Sequence, residues 1–146
     1  MKIGLLNGPN LNLLGKREPG VYGNFTLDDV YERLRSLVGR ENDIVAFQSN
    51  IEGELINFIH LSKENDIEYI IFNPGAYTHT SIALRDAITS VGVQTIEVHI
   101  SNVYKREEFR QKSLIAPVCI GQIAGFGILS YELALNYILE KSKEKL

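Results

Sequence analysis

The chain contains one cysteine, Cys119, and lacks any long apolar run. A lone cysteine excludes an internal disulfide and a multi-cysteine metal cluster, and so few cysteines are typical of the reducing cytoplasm. No segment approaches the roughly 20 apolar residues that span a bilayer, and residues 1–7 read as a strand rather than a secretion signal. We therefore expect a cytoplasmic protein with no membrane partner.

An excess of charge of either sign is also missing. The 146 residues include 15 Lys and Arg against 18 Asp and Glu, which leaves a net charge of −3 at pH 7. The basic residues are spread along the chain, and this argues against nucleic acid as the main partner. Because internal repeats, low-complexity segments and linkers are absent as well, we expect residues 1–146 to form a single α/β domain.

What the sequence does have is a regular alternation of apolar strands and amphipathic helices. Thr26 and Asp29 have the spacing of a capping box at the start of the first helix. Strands are predicted over 1–7, 43–48, 67–72, 93–98 and 117–120, and helices over 26–38, 52–64, 80–91, 106–112 and 126–143. This alternation predicts a five-stranded parallel sheet with helices on both faces.

In such a sheet, the loops that leave the strands lie at one edge, where ligands of open α/β folds bind. The first of these loops, residues 8–23, has two prolines and four glycines and is long for a small domain. It carries Asn10, Arg17 and Tyr22, which can orient a water, hold an anion and exchange a proton. The alternative is a surface loop in which Asn and Gly only form turns.

Two further loops bring polar residues to the same edge. Asn73 and His79 follow the third predicted strand, while His99 and Ser101 follow the fourth. Glu97 lies two residues before His99, so in a strand the two side chains share a face. A carboxylate beside an imidazole fixes the tautomer of the ring, as general acid or base catalysis requires. The alternative for this pair is a surface ion pair.

Several nearby features have structural interpretations. Asn73-Pro74-Gly75 is a turn signal, and residues 106–110 resemble a solvated helix face. The glycines of 121–127 do not have the dinucleotide-binding spacing, and they favour packing of the last helix or a subunit contact. His60 falls within the second helix and is expected to be structural.

Ordered motifs along the chain resemble the type II 3-dehydroquinate dehydratases. They are GPNLNLLG at 8–15, with REP at 17–19 and YG at 22–23; FNPGA at 72–76, with HTS at 79–81; EVHISN at 97–102; REEFR at 106–110; and GQI at 121–123, with YELA at 131–134. The resemblance runs from about residue 3 to residue 135, in order and at the family's spacing. It implies a flavodoxin-like fold and a lyase that converts 3-dehydroquinate to 3-dehydroshikimate in the shikimate pathway. It also implies that no cofactor or metal is used and that the chain assembles as a homododecamer built from trimers.

The resemblance assigns catalytic roles by motif position. Tyr22 would be the base, Arg17 its activator, His99 the acid that releases the hydroxyl as water, and Asn10 the holder of a water that stabilises an enolate. Glu97, placed beside His99 by the strand spacing, is included with the catalytic residues. The substrate-binding residues would be Asn73 with the Ile100 and Ser101 backbone for the carboxylate, and His79, Arg110 and an Asp86 from a neighbouring subunit for the hydroxyls.

These residue types suit the chemistry. A proton next to a ketone is weakly acidic, so its removal needs a positioned base and a stabilised enolate oxygen. A free tyrosine has a pKa of about 10 and is protonated at pH 7, but a nearby guanidinium such as Arg17 favours the phenolate of Tyr22. A different class remains open, a flavodoxin-like mononucleotide-binding or signalling module. A signalling receiver would need acidic clusters where the first and third strands end, and these ends carry Asn7 and Asn73 instead.

Overall fold

The computed structural model describes residues 1–16, 20 and 24–144. Its centre is a parallel sheet of five strands: β1 (Lys2–Asn7), β2 (Asp43–Gln48), β3 (Ile67–Asn73), β4 (Gln94–His99) and β5 (Gly121–Ala124). They lie in the order β2-β1-β3-β4-β5. The expected flavodoxin-like α/β fold is confirmed, and all strands end at the same edge.

The described residues include four α-helices: α1 (Leu27–Leu37), α2 (Glu52–Leu61), α3 (Ile82–Val91) and α4 (Leu129–Lys143). The first three connect β1 to β2, β2 to β3 and β3 to β4, and α4 follows β5. The capping box is confirmed at α1, where the Thr26 side chain accepts from the Asp29 amide and the Asp29 side chain accepts from the Thr26 amide. The Ser81 side chain caps α3 in a similar way, by accepting from the Leu84 amide. Among the described residues, no helix is long and apolar enough to cross a membrane.

The helices cover both faces of the sheet. On one face, Val30 and Leu34 of α1 and Leu135 and Ile138 of α4 pack on the central strands. On the other face, buried side chains of α2 and α3 pack on the same strands. With both faces covered, β1 and β3 are buried along nearly their whole length.

The predicted strand over 117–120 is wrong. Pro117 lies instead in a 3₁₀ turn, Ala116–Val118, and β5 begins at Gly121. This turn places Ile115 against the core. Ile115 is therefore fully buried although it is not in a strand. Proline has no N–H to donate and is poorly suited to a strand that must pair with β4.

Two predicted helices also differ from the structure. The segment predicted as a helix over 106–112 forms only a 3₁₀ turn at Glu108–Arg110, preceded by another at Val103–Lys105. The last helix begins at Leu129 rather than at 126. Gly125 and Gly127 have φ values of +99° and +61°, and this left-handed backbone delays the start of the helix.

Candidate active site

The loops that follow β1, β3 and β4 enclose a pocket at the carboxyl edge of the sheet. Seven residues predicted as site residues line it: Asn10, Asn73, His79, His99, Ile100, Ser101 and Arg110. Arg106 lines it as well. The structure therefore brings together side chains that are separated by up to about a hundred positions in the chain, as expected for the edge of an open α/β sheet.

Asn10 has its position fixed by the neighbouring loop. Its φ of +68° is in the left-handed region, which asparagine tolerates better than most residues. Its amide N donates to Asn50 Oδ1 at 2.9 Å, and Gln48 Nε2 donates to the same oxygen at 3.2 Å. The Asn10 side chain makes no capping hydrogen bond to the 3₁₀ turn at Leu11–Leu13. Its amide group is therefore available to a ligand or water in the pocket.

Asn73 is oriented by a buried tyrosine. Its Nδ2 donates to Tyr131 Oη at 3.0 Å, its Oδ1 accepts from the Gly75 amide at 3.1 Å, and Tyr131 Oη donates to Asn7 Oδ1 at 2.6 Å. All three polar side chains are nearly or fully buried. Burial raises the pKa of Tyr131, so its hydroxyl stays protonated and can serve as donor and acceptor at once. One N–H of Asn73 remains for an acceptor in the pocket.

His79 and His99 present different nitrogens to their protein partners. His79 Nδ1 lies 2.8 Å from the Lys112 carbonyl oxygen, and His99 Nε2 lies 2.9 Å from Glu97 Oε2. Both partners are acceptors, so each of these nitrogens carries a hydrogen. The neutral His79 ring is left with Nε2 as an acceptor, and the neutral His99 ring with Nδ1.

Glu97 and His99 form a buried pair rather than a surface ion pair. Glu97 is fully buried, and His99 is 7% exposed. Burial raises the pKa of Glu97, but hydrogen bonds from His99, Gln122 and Ser113 outweigh it and hold that pKa below its usual value. The pair therefore contains a carboxylate that can stabilise a protonated His99 ring next to the pocket.

Two arginines give the pocket a positive wall. Arg110 Nε donates to Glu107 Oε1 at 3.1 Å, and its guanidinium carbon lies 5.0 Å from the centre of the Phe109 ring. Arg106 Nε lies 4.0 Å from the same Glu107 oxygen, and only 18% of its side chain is exposed. The exposed Glu107 has a lowered pKa, because its own backbone amide and the Arg110 side chain donate to it. It stays ionised and lies within 4.0 Å of both arginine Nε atoms.

Four predicted site residues are not among those that line this pocket. Glu97 lies behind its wall, hydrogen-bonded to His99. Arg17 and Tyr22 lie outside the described residues. Asp86 is exposed on α3, and in the described part of the chain it does not line the pocket. His60, expected to be structural, is exposed in the last turn of α2 and is also away from the pocket.

Four residues at or behind the pocket were not predicted from the sequence: Arg106, Tyr131, Ser113 and Gln122. The last two hold the Glu97 carboxylate, and Gln122 is the register partner of Glu97 on β5. Correct placement of β5 would have revealed Gln122. Across the described residues, no three or more His, Cys, Asp or Glu side chains are grouped so that they could hold a metal ion.

The chain is similar to known proteins in sequence and in overall fold. The 3-dehydroquinate dehydratase of Desulfitobacterium hafniense is 55% identical over 145 residues, which cover 99% of this chain and 99% of that protein. The 3-dehydroquinate dehydratase of Pelotomaculum thermopropionicum is 54% identical over 137 residues, covering 93% and 94%. The crystal structure of a type II dehydroquinase from Butyrivibrio crossotus matches with a TM-score of 0.91 and 45% identity, and covers 94% of this chain and 96% of that one.

The model of the class II dehydroquinase family matches residues 1–139. That range contains every described residue of the pocket, together with the Glu97–His99 pair behind it. Family match, overall fold and pocket thus point the same way, and the chain belongs to the class II dehydroquinases, a family of enzymes.

Proposed function

We propose that this protein is a lyase that dehydrates 3-dehydroquinate to 3-dehydroshikimate within the shikimate pathway of aromatic amino-acid biosynthesis. The observation that carries the proposal is the buried Glu97–His99 pair at the wall of a pocket lined by asparagines and arginines, in a chain of the class II dehydroquinase family. The whole chain forms one catalytic domain in this proposal.

The reaction begins with loss of a proton from the carbon beside the ketone. Tyr22 takes this proton as a phenolate, and Arg17, five residues earlier in the chain, favours that ionised form. Removal of the proton leaves an enolate, whose oxygen needs hydrogen-bond donors. A water held by Asn10 supplies one donor, and the Asn10 side chain makes no capping hydrogen bond to the adjacent turn that would compete with this role.

The second half of the reaction expels a hydroxyl group. His99 gives its proton to that hydroxyl, which leaves as water while the enolate collapses to the conjugated enone. Because Nε2 is hydrogen-bonded to Glu97, Nδ1 is the nitrogen that faces the leaving group. Glu97 stabilises the ring while it is positively charged. For the next turnover, Tyr22 loses its proton and His99 regains one.

Substrate binding uses the remaining pocket residues. The free N–H of Asn73 and the backbone at Ile100 and Ser101 hold the substrate carboxylate. His79, with Nε2 as an acceptor, and Arg110 hold its hydroxyls. Asp86 is exposed on α3 and supplies its carboxylate to the pocket of a neighbouring subunit, within a homododecamer built from trimers.

The direct test is a spectrophotometric assay. The purified protein is mixed with 3-dehydroquinate, and the absorbance of the conjugated enone product is followed. Wild-type protein should produce it, while His99→Ala, with the same fold by circular dichroism, should be slower by at least about 10²-fold. No enone from the wild-type protein would overturn the proposal.

A further inference from the structure

The Glu97 carboxylate accepts hydrogen bonds from three side chains, and both of its oxygens have a donor. Glu97 is fully buried. Its Oε1 accepts from Ser113 Oγ at 2.6 Å, and its Oε2 accepts from both Gln122 Nε2 and His99 Nε2. A buried carboxylate is costly unless it is paired and hydrogen-bonded, so these donors decide whether Glu97 stays ionised.

The direction of the Ser113 hydrogen is fixed by the backbone. The Ile115 and Ala116 amides both donate to Ser113 Oγ, at 3.1 and 2.9 Å. A hydroxyl has two lone pairs and one hydrogen, so two incoming donors leave the hydrogen free to point only at Glu97. The turn before β5 therefore acts as a fixed hydrogen-bond donor at the back of the site.

Gln122 reaches Glu97 from the edge of the sheet. It lies directly opposite Glu97 in the parallel β4–β5 register, so the two side chains share a face. The residue as a whole is exposed, although its amide contacts a buried carboxylate. A glutamine on an edge strand could keep its side-chain amide in water and pair with β4 equally well. The contact between the Gln122 amide and Glu97 is therefore not needed to hold β5 in the sheet.

We propose that Ser113 and Gln122 are positioning residues for His99, which they control by holding Glu97 as an oriented carboxylate. Glu97 in this state keeps the hydrogen on His99 Nε2 and leaves Nδ1 to face the substrate. The effect on His99 during catalysis rests on the proposed function. The hold of Ser113 and Gln122 on the Glu97 carboxylate rests on the geometry alone.

Two other ionisable groups face Glu97. His99 lies on the same strand, and Cys119 lies in the segment before β5. Burial, followed by the Glu97 charge, raises the pKa of the Cys119 thiol to about 12, so Cys119 stays neutral at working pH. Among the described residues, His99 is thus the ionisable side chain that both contacts the Glu97 carboxylate and lines the pocket.

The first test removes each donor while keeping side-chain volume. Gln122→Met and Ser113→Ala should each lower kcat by about tenfold, since a misplaced catalytic group loses rate steeply. KM should change by less than about twofold, because neither residue touches the substrate. Gln94→Met, an exposed glutamine at the start of β4, is the matched control and should leave both constants unchanged.

A second readout does not depend on catalysis. Glu97 has a lowered pKa in the folded protein, so its contribution to stability is present at neutral pH and is lost as the pH falls through that pKa. Removing a donor raises the pKa of Glu97. The decline of melting temperature on acidification should therefore begin at higher pH in Gln122→Met and Ser113→Ala than in wild type or Gln94→Met.

Gln122→Glu supplies a reversible test. At high pH it places two carboxylates together, and these repel; at low pH they share one proton, and the protonated side chain donates to Glu97 as Gln122 does. Its kcat should approach the wild-type value at low pH and fall as the pH rises, which a purely structural role for Gln122 does not produce.

The outcomes separate the two proposals. If Gln122→Met and Ser113→Ala match the Gln94→Met control in both kcat and acid stability, the positioning role is overturned. If the wild-type protein forms no enone but the acid-stability difference appears, the proposed reaction fails while Ser113 and Gln122 still hold Glu97 ionised. If acid stability shifts but kcat in an active enzyme does not, control of His99 is overturned.

Discussion

Gly8 and Pro74 lie so close that only glycine fits at residue 8. A Cβ there would be 2.3 Å from the Pro74 carbonyl oxygen and 2.7 Å from its carbonyl carbon. The Gly8 amide donates to the Asn73 carbonyl oxygen at 2.8 Å. In the 3₁₀ turn that follows β3, Gly75 has a φ of +61°, and a Cβ there would be 3.0 Å from the Pro9 carbonyl oxygen. The loops after β1 and β3 thus cross backbone against backbone, which brings Asn10 and Asn73 into one pocket.

Gly8→Ala should therefore destabilise the protein and disturb the pocket. The backbone cannot move aside as a flexible side chain would, so we expect a loss of about 1–3 kcal/mol in the free energy of unfolding. KM should rise as well, because the loops that carry Asn10 and Asn73 must separate. Urea denaturation and steady-state kinetics measure the two effects.

Gly53→Ala is the matched control for this change. Gly53 lies in α2, and a Cβ there would have no atom within 4 Å. Alanine should stabilise the helix by up to about 1 kcal/mol. A Gly8→Ala protein as stable as Gly53→Ala would show that the two loops can separate without cost.

Tyr131→Phe should weaken substrate binding more than it slows the chemistry. The change leaves Asn7 Oδ1 and Asn73 Nδ2 without their buried partner, which costs about 1–3 kcal/mol of stability. With Asn73 free to turn its amide, KM should rise while kcat stays within a few-fold. Tyr69→Phe, a buried tyrosine near the start of β3, should leave KM unchanged. Equal KM values for Tyr131→Phe and Tyr69→Phe would show that Tyr131 does not orient Asn73 for substrate binding.

Glu97→Gln should lose stability mainly at neutral pH. Because the pKa of Glu97 is lowered on folding, the ionised carboxylate stabilises the wild-type protein above its ordinary pKa of about 4.5. That contribution to stability disappears as the pH falls through the pKa of Glu97 in the folded protein. A glutamine at this position does not ionise, so it makes no such contribution at any pH. The gap in melting temperature between wild type and Glu97→Gln should be large at pH 7 and narrow on acidification. A gap that is constant with pH would contradict the assignment of an ionised Glu97.

Tyr22→Phe tests the base. Removing the phenol should lower kcat by at least about 10²-fold with little change in substrate affinity, since the hydroxyl acts on the proton rather than in binding. Arg17→Met should lower kcat at neutral pH and recover part of it at high pH, where the phenolate forms without help. A Tyr22→Phe enzyme within a few-fold of wild type would reassign the base.

Asp86 tests the assembly. Residue 86 lies in the second turn of α3, about 6–8 Å from the helix start, and is exposed there. Tyr22→Phe and Asp86→Ala proteins can be dissociated, mixed and reassembled. Some hybrid sites would then combine an intact Tyr22 with an intact Asp86, and activity should exceed the sum of the parents. Native mass spectrometry confirms that hybrids have formed. If their activity equals only the sum of the two parent activities, Asp86 does not act in the neighbouring subunit's site.

The strongly apolar strands could be predicted from sequence, and so could the edge at which the site lies. β3 is buried at all but one position, and a run of this kind has few alternatives to a central parallel strand. The Glu97–His99 contact followed from the two-residue period of a strand alone. The capping box at Thr26 and Asp29 is equally local, so a single sequence is enough to find it.

β5 could not be located from its own pattern. It has four residues and is half-exposed at the edge of the sheet, so its apolar signal is weaker than that of the turn before it. Arg106 was missed for a related reason. A charged run such as 106–110 is typical of a solvated face, and only the 3₁₀ turns around it direct Arg106 toward the pocket.

Tyr131 and Asn7 are 124 positions apart, which has a consequence for the order in which the protein is made. Every described residue that lines the pocket precedes α4 and leaves the ribosome before it. A nascent chain that ends before α4 holds Asn73 and His99 but has no hydroxyl to orient the Asn73 amide. The binding geometry is therefore completed only when the last helix docks, and a partly synthesised chain carries its catalytic residues without an assembled site.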